Sequence, residues 1–270
     1  MIRLLATDLD GTLLQSGGTA SQETVQALAR AANEGLDIVF VTGRPPRWMT
    51  DISDVTGYRG LAICANGALT MDLASGEVLS ASHIDPEVGV EVCGLLREVD
   101  PDITFAAELS RAKDNFVLDA NYQTRWEYDI EFPRMSVEEI FDTEVVVKLM
   151  ARPSQSAGFD ADSFLSRALE VVAGHVDVTH SDIRNVLLEM SVLGVNKGTG
   201  LASYAASLGH VASQVSAVGD MPNDIEMIRW AGRGAAVANA HEAVKAVANV
   251  HLPSNDEHAV AVLIDSILSN

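Results

Sequence analysis

Two carboxylates stand two residues apart near the start of the chain, in Asp8-Leu9-Asp10-Gly11-Thr12-Leu13-Leu14. They follow directly on the apolar run at residues 2–7. If that run is a β-strand that continues, its alternation puts Asp8 and Asp10 on one side, and Gly11 then lets the chain turn sharply. Paired carboxylates offer hard oxygen ligands for Mg²⁺. They also allow a division of labour, in which one attacks as a nucleophile and the other gives and takes protons. Taken alone, Asp-x-Asp equally fits a solvated turn with capping acids. A calcium loop does not fit: counted from Asp8, the positions run through Leu13, where the loop needs glycine, then Leu14 and Ser16, and Thr19 stands where a bidentate glutamate is needed.

Three more patterns carry complementary chemistry. In Thr42-Gly43-Arg44, a hydroxyl and adjacent backbone N–H groups at a strand end can hold phosphate oxygens. In Gly194-Val195-Asn196-Lys197-Gly198, Lys197 precedes a helix at about 199–207 whose Leu201, Tyr204, Ala205 and Leu208 share a face. A lysine at a helix start opposes the helix dipole, so a nearby carboxylate or phosphate is expected. In Gly219-Asp220-Met221-Pro222-Asn223-Asp224, Asp220 ends an apolar run and Pro222 suits a first helical turn. Asp224 lies one turn beyond Asp220, which can direct both acids to one cation. Alone, each pattern also fits a polar turn, a surface lysine or a helix cap.

The elements that must position these residues are legible as apolar runs. The runs at 2–7, 36–41, 61–65, 215–218 and 235–238 end at Asp8, Thr42, Asn66-Gly67, Gly219-Asp220 and Asn239. Residues 21–34 read as a helix with Val25, Leu28, Ala29 and Ala32 on one face, Ser21 and Thr24 near its start and Gly35 stopping it. Near-continuous apolar strands alternating with helices indicate an α/β fold with a Rossmann-like, doubly wound parallel sheet covered on both faces. Such sheets bind ligands beyond the carboxyl ends of their strands, where all five polar residues fall.

The middle of the chain reads differently. A hairpin at 69–81 turning at Ser75-Gly76 leads into helices at about 86–99, 137–141 and 160–172. These are mixed with strands near 103–107, 116–119, 145–150, 176–179 and 186–190. Residues 83–190 are therefore expected to form a second α/β unit inserted into a core made of 1–82 and 191–270.

Composition narrows the function. The chain has 270 residues, enough for two unequal domains. There are 38 Asp and Glu against 18 Lys and Arg, a net charge of −20, which disfavours nucleic acid and anionic membranes as partners. It also repels anionic substrates, so a site for one needs a cation and local Lys or Arg. No apolar stretch is long enough to span a bilayer. The first residues lack the apolar region of a signal peptide, and a cytoplasmic location is expected. Cys64 and Cys93 read as small buried apolar residues in a reducing compartment. His83, His175, His180, His210, His241, His251 and His258 lack close metal-binding spacing. Arg125, Trp126 and Tyr128 lie in the insert, as packing and surface residues or as substrate contacts.

The four motifs, in this order, resemble the haloacid dehalogenase-like superfamily, specifically its Cof-type phosphatases with a large α/β cap. The resemblance covers the whole chain, and Asn66-Gly67-Ala68 matches a recurrent element before the cap. It implies Mg²⁺-dependent hydrolysis of small phosphorylated metabolites, such as sugar phosphates. Asp8 becomes an aspartyl phosphate; Asp10 protonates the leaving group and then activates water. Thr42 and Lys197 hold phosphoryl oxygens, and Gly43, Arg44, Asn66 and Asn223 are expected on the substrate side. Asp8, the backbone carbonyl of Asp10, and Asp220 bind the metal, with Asp224 close behind. The cap is expected to close over the site and read the leaving group; oligomeric state is open. Two departures concern loops. Leu193 stands where the family often has proline, and Glu257-His258-Ala259-Val260 lacks a familiar glycine, which changes how that loop can turn. A phosphomutase of the same superfamily and a metabolite-binding regulator without turnover are the alternatives. A receiver-type phosphoacceptor domain does not need the insert.

Overall fold

The computed structural model describes residues 1–111, 115–124 and 131–269. The chain starts with β1 (Leu4–Thr7), α1 (Gln22–Asn33), β2 (Asp37–Val41), α2 (Met49–Thr56), β3 (Leu61–Cys64), β4 (Leu69–Asp72) and β5 (Val78–Ala81). It continues through α3 (Pro86–Val99), β6 (Thr104–Leu109), β7 (Phe116–Asp119), β8 (Arg134–Met135), α4 (Val137–Thr143), β9 (Val146–Arg152), α5 (Ala161–Val172), β10 (Val176–Thr179) and β11 (Leu188–Val192). The last part comprises α6 (Lys197–Ser207), β12 (Val215–Gly219), α7 (Ile225–Trp230), β13 (Arg233–Ala236), α8 (Glu242–Val247), β14 (Val250–His251) and α9 (Ala259–Leu268). Two compact units result: Met1–Ser80 with Asn196–Asn270, and Ala81–Val195.

The first unit is built on an eight-stranded sheet in the order β14-β13-β12-β1-β2-β3-β4-β5. Pairing is parallel from β14 through β3 and antiparallel from β3 to β4. All four residues of β1 are buried. Successive strand residues face opposite sides, so both faces of the sheet must be covered. Helices α1 and α9 pack together, and α6, α7 and α8 form a second group. Sequence order reverses at the centre, where β1 lies between β2 and β12. That is a topological switch point, where a crevice opens at the carboxyl ends of the strands.

Local chemistry explains the helix that leaves β1's loop. Ser21 caps α1 by accepting from the Thr24 N–H at 3.1 Å. Its buried face is Thr24, Ala27, Leu28 and Ala31, which corrects the sequence expectation. Val25 is half-buried, and Ala29 and Ala32 are exposed. Alanines mark a helix face weakly, and the buried Thr24 hydroxyl is satisfied by accepting from the Ser21 hydroxyl at 3.0 Å. Similarly, α6 buries Leu201 and Ala205, but Leu208 is 40% exposed beyond the helix end.

The second unit has a six-stranded sheet, β10-β11-β9-β6-β7-β8, antiparallel apart from β7 with β8. Alternation along β6 sends Phe105, Ala107 and Leu109 into a core shared with Leu96 of α3, Phe141 of α4 and Phe164 of α5. Ala106 joins Phe116, Leu118, Tyr122 and Met150 in a smaller cluster. Arg125, Trp126 and Tyr128 lie outside the described residues. Cys64 and Cys93 are buried free thiols. Among the described residues, no helix is long and apolar enough to cross a membrane.

Candidate active site

Asp8 follows the last residue of β1, with its N–H bonded to the Val218 carbonyl of β12 at 3.0 Å. The strand does not continue to Asp10. The chain turns instead, with Gly11 at φ +77°, so the two carboxylates part company. Asp8 is buried, whereas the Asp10 side chain is 55% exposed. Asp10 is gripped by Arg44, whose Nε donates to Oδ2 at 2.6 Å and Nη2 to Oδ1 at 2.5 Å.

Lys197 is the first residue of α6, and Asn196 caps that helix by accepting from the N–H groups of Gly198 and Thr199. The side chain is fully buried among carboxylates, donating to Asp8 Oδ1 and to Asp224 Oδ1, each at 2.6 Å. The anion expected beside a lysine at a helix start is thus a pair of aspartates.

Asp220 follows β12 and accepts from the Thr12 hydroxyl at 3.0 Å. Asp224 sits at the end of a short 3₁₀ turn, Pro222–Asp224. Its Oδ2 accepts from the N–H groups of Asp220 and Met221, at 2.9 and 3.0 Å. Asp224 therefore spends one oxygen on the lysine and the other on the backbone that carries Asp220. Oxygens of Asp8, Asp220 and Asp224 all lie within 4.8 Å of one another.

These charges strain one another. Burial pushes the Asp8 carboxyl up to about 7, against the pull of Lys197, and Asp224 and Asp10 add to the rise. Burial likewise raises Asp220, helped by the negative charges of Asp8 and Asp224. Burial alone would lower Lys197, but the Asp224 and Asp8 carboxylates outweigh it and hold the ammonium above its usual range. With three acids against one lysine, the pocket carries two uncompensated carboxylates.

A divalent cation suits this donor set, which consists of hard oxygens only. Among the described residues, no hydrogen bond falls on Asp8 Oδ2 or Asp220 Oδ2. A Cβ at residue 11 would lie 2.4 Å from Asp220 Oδ2, so only glycine lets the turn come this close to that oxygen.

The residues expected on the substrate side lie beyond the ends of β2 and β3 and in the turn after β12. The Thr42 hydroxyl accepts from the Arg44 N–H at 3.0 Å, and the Thr42 carbonyl accepts from Asn66 N–H at 3.1 Å. Ala65 and Asn66 both have positive φ, +50° and +56°, a backbone strain typical of functional sites. Asn223 Nδ2 donates to Asn66 Oδ1 at 3.0 Å, while the buried Asn223 Oδ1 has no hydrogen-bond partner. Gly43 lies within the turn between Thr42 and Arg44. Thr42, Asn66 and Asn223 are buried, as are Asp8, Lys197, Asp220 and Asp224.

Two contributors were not singled out from sequence. Thr12 lies inside the first motif but carried no assigned role; its hydroxyl orients Asp220. Asn239, noted only as a strand end, donates to the Gly11 carbonyl at 2.8 Å and accepts from the Asn255 N–H at 3.0 Å. It ties the first turn to the C-terminal loop. In that loop His258 takes the left-handed conformation at φ +62°, so the turn survives without the glycine.

Comparison with known proteins gives a consistent set of likenesses. Residues 5–264 match the family model of haloacid dehalogenase-like hydrolases. Phosphatase YwpJ of Bacillus subtilis is 27% identical over 99% of this chain and 100% of its own. The 5-amino-6-(5-phospho-D-ribitylamino)uracil phosphatase YwtE of the same organism is 28% identical, covering 99% of both chains. Among solved structures, BT1666 from Bacteroides thetaiotaomicron, analysed among phosphatases of the superfamily, aligns with a TM-score of 0.82. It is 27% identical, over 100% of this chain and 96% of that one.

Proposed function

The chain belongs to the haloacid dehalogenase-like hydrolase family, and on that premise we propose that it is a phosphatase of small phosphorylated metabolites acting through Asp8. The observation that carries the reading is the convergence on one pocket of Asp8, Lys197, Asp220 and Asp224, brought from distant parts of the chain.

Asp8 is the nucleophile. Its carboxylate oxygen forms a bond to phosphorus as the bond from phosphorus to the leaving oxygen breaks, and Asp10 passes its proton to that oxygen. The product is an aspartyl phosphate. Asp10, now a carboxylate, takes a proton from water as the water oxygen bonds to phosphorus. The bond to Asp8 breaks, and inorganic phosphate leaves with Asp8 regenerated. Lys197 and Thr42, with Gly43 in the same turn, hold phosphoryl oxygens, and the open Asn223 Oδ1 beside Asn66 faces substrate donors. Asp8, Asp220 and the Asp10 backbone carbonyl would hold Mg²⁺, with Asp224 steadying both Lys197 and the Asp220 backbone. When bound, the ion neutralises charge developing on the phosphoryl oxygens. It also answers the repulsion expected from a net charge of −20.

Residues 81–195 are assigned the choice of leaving group. The uracil-derived ribityl phosphate named for YwtE supports a sugar or polyol phosphate as the substrate class. The test is phosphate release from p-nitrophenyl phosphate and a panel of sugar and polyol phosphates. Release should stop with EDTA, return with Mg²⁺ and vanish in Asp8→Asn. Near-normal turnover by Asp8→Asn would eliminate the mechanism.

A further inference from the structure

The sequence placed Arg44 among groups that meet substrate, yet its guanidinium faces another part of the protein. Two of its N–H groups lie fork to fork on the Asp10 carboxylate, at 2.6 and 2.5 Å. The Arg44 backbone is pinned on both sides. Its N–H donates to the Thr42 hydroxyl at 3.0 Å, and its carbonyl accepts from the Ala65 N–H at 3.1 Å. The two side chains differ in freedom, with Arg44 22% exposed and Asp10 55% exposed. The arginine is the anchored member and the aspartate the one that needs holding.

We infer that Arg44 is a positioning residue that acts on the reaction through the Asp10 carboxylate. It fixes the direction from which that side chain meets the leaving oxygen as an acid and, later, the attacking water as a base. A carboxylate this open to solvent can occupy several rotamers. Two parallel charge-assisted bonds select one, and proton transfer demands that selection, since it works only at hydrogen-bond reach. The Thr42 turn thereby serves twice, presenting its own hydroxyl and, two residues on, the arginine that aims the acid.

The inference rests on the phosphatase reading above, and the test separates the two. Wild type, Arg44→Ala, Asp10→Ala and the double variant are compared on p-nitrophenyl phosphate with Mg²⁺, with Arg44→Lys as a milder change. Arg44→Ala should lower kcat at least about tenfold and leave KM within about twofold. In the Asp10→Ala background the same change should cost nothing further, because residues acting as a unit are non-additive. Arg44→Lys, a point charge without the fork, should stay impaired, and added guanidinium should partly restore Arg44→Ala. Losses that multiply in the double variant, or a raised KM at unchanged kcat, would overturn the inference and return Arg44 to the substrate. A wild type that releases no phosphate would instead sink the phosphatase reading itself.

Discussion

At the scale of single residues, the pocket holds ionised groups in a place that penalises ionisation. Asp8 is raised from 3.8 to about 7, chiefly by burial. A carboxyl with a raised folded-state value binds its proton more tightly folded than unfolded. Its contribution to stability is therefore fully present at acid pH and declines as pH rises from about 4 to about 7. In EDTA, urea unfolding of wild type and Asp8→Asn should give similar stability near pH 4, with the wild type falling progressively behind up to pH 7. Mg²⁺ should close that gap. A gap that is constant with pH would disprove the assignment. Lys197 has the opposite role, since its one positive charge is shared by two buried partners, Asp8 and Asp224. Lys197→Met should abolish turnover and destabilise the metal-free protein by about 3–5 kcal/mol, because it strands buried carboxylates. Chemical denaturation measures the loss, and added Mg²⁺ should shrink it.

At the scale of elements, strand ends and tight turns aim the side chains. The Gly11 turn abuts Asp220, with no room for a Cβ and a φ only glycine adopts easily. Gly11→Ala should reduce kcat with Mg²⁺ by at least about tenfold, because it displaces a group that must stay within a fraction of an ångström. It should also raise the Mg²⁺ concentration needed for half-maximal activity. At the C-terminal loop the sequence departs from the expected glycine, and the structure shows the cost as strain. His258 carries φ +62°, which costs a non-glycine residue about 1–2 kcal/mol. His258→Gly should stabilise the protein by about 0.5–1 kcal/mol after the flexibility of glycine is counted, readable as a rise in Tm with kcat unchanged.

At the scale of the whole molecule, two units carry two cores. Met1–Ser80 with Asn196–Asn270 supplies the residues gathered around Asp8, while Ala81–Val195 is continuous in sequence and packs its own apolar centre around Phe105, Phe141 and Phe164. A fragment of residues 81–195 should fold alone, with a cooperative thermal transition and near-native helix content by circular dichroism. A broad, non-cooperative melt would show that it borrows stability from the rest of the chain. The acidic charge belongs to this scale too. It repels polyanions through a long-range field, yet leaves the chemistry to a pocket in which one lysine stands among three buried aspartates.

Much of this was present in residue order. Apolar runs ending at Asp8, Thr42, Asn66, Asp220 and Asn239 announced a parallel sheet with chemistry at one edge, because buried strands must be apolar and ligands gather where they end. Lys197 at a helix start announced an anion, because the helix dipole makes that position costly without one. Tertiary structure alone decided how the pieces divide the work. Alternation suggested that Asp8 and Asp10 share a side, but the turn at Gly11 sends one to Lys197 and the other to Arg44. Thr12 on Asp220 and Asn239 on Gly11 link residues more than 200 positions apart. Sequence spacing encodes local direction well because backbone geometry is periodic. Which distant side chains then meet depends on how strands order themselves in the sheet, and no local period carries that information.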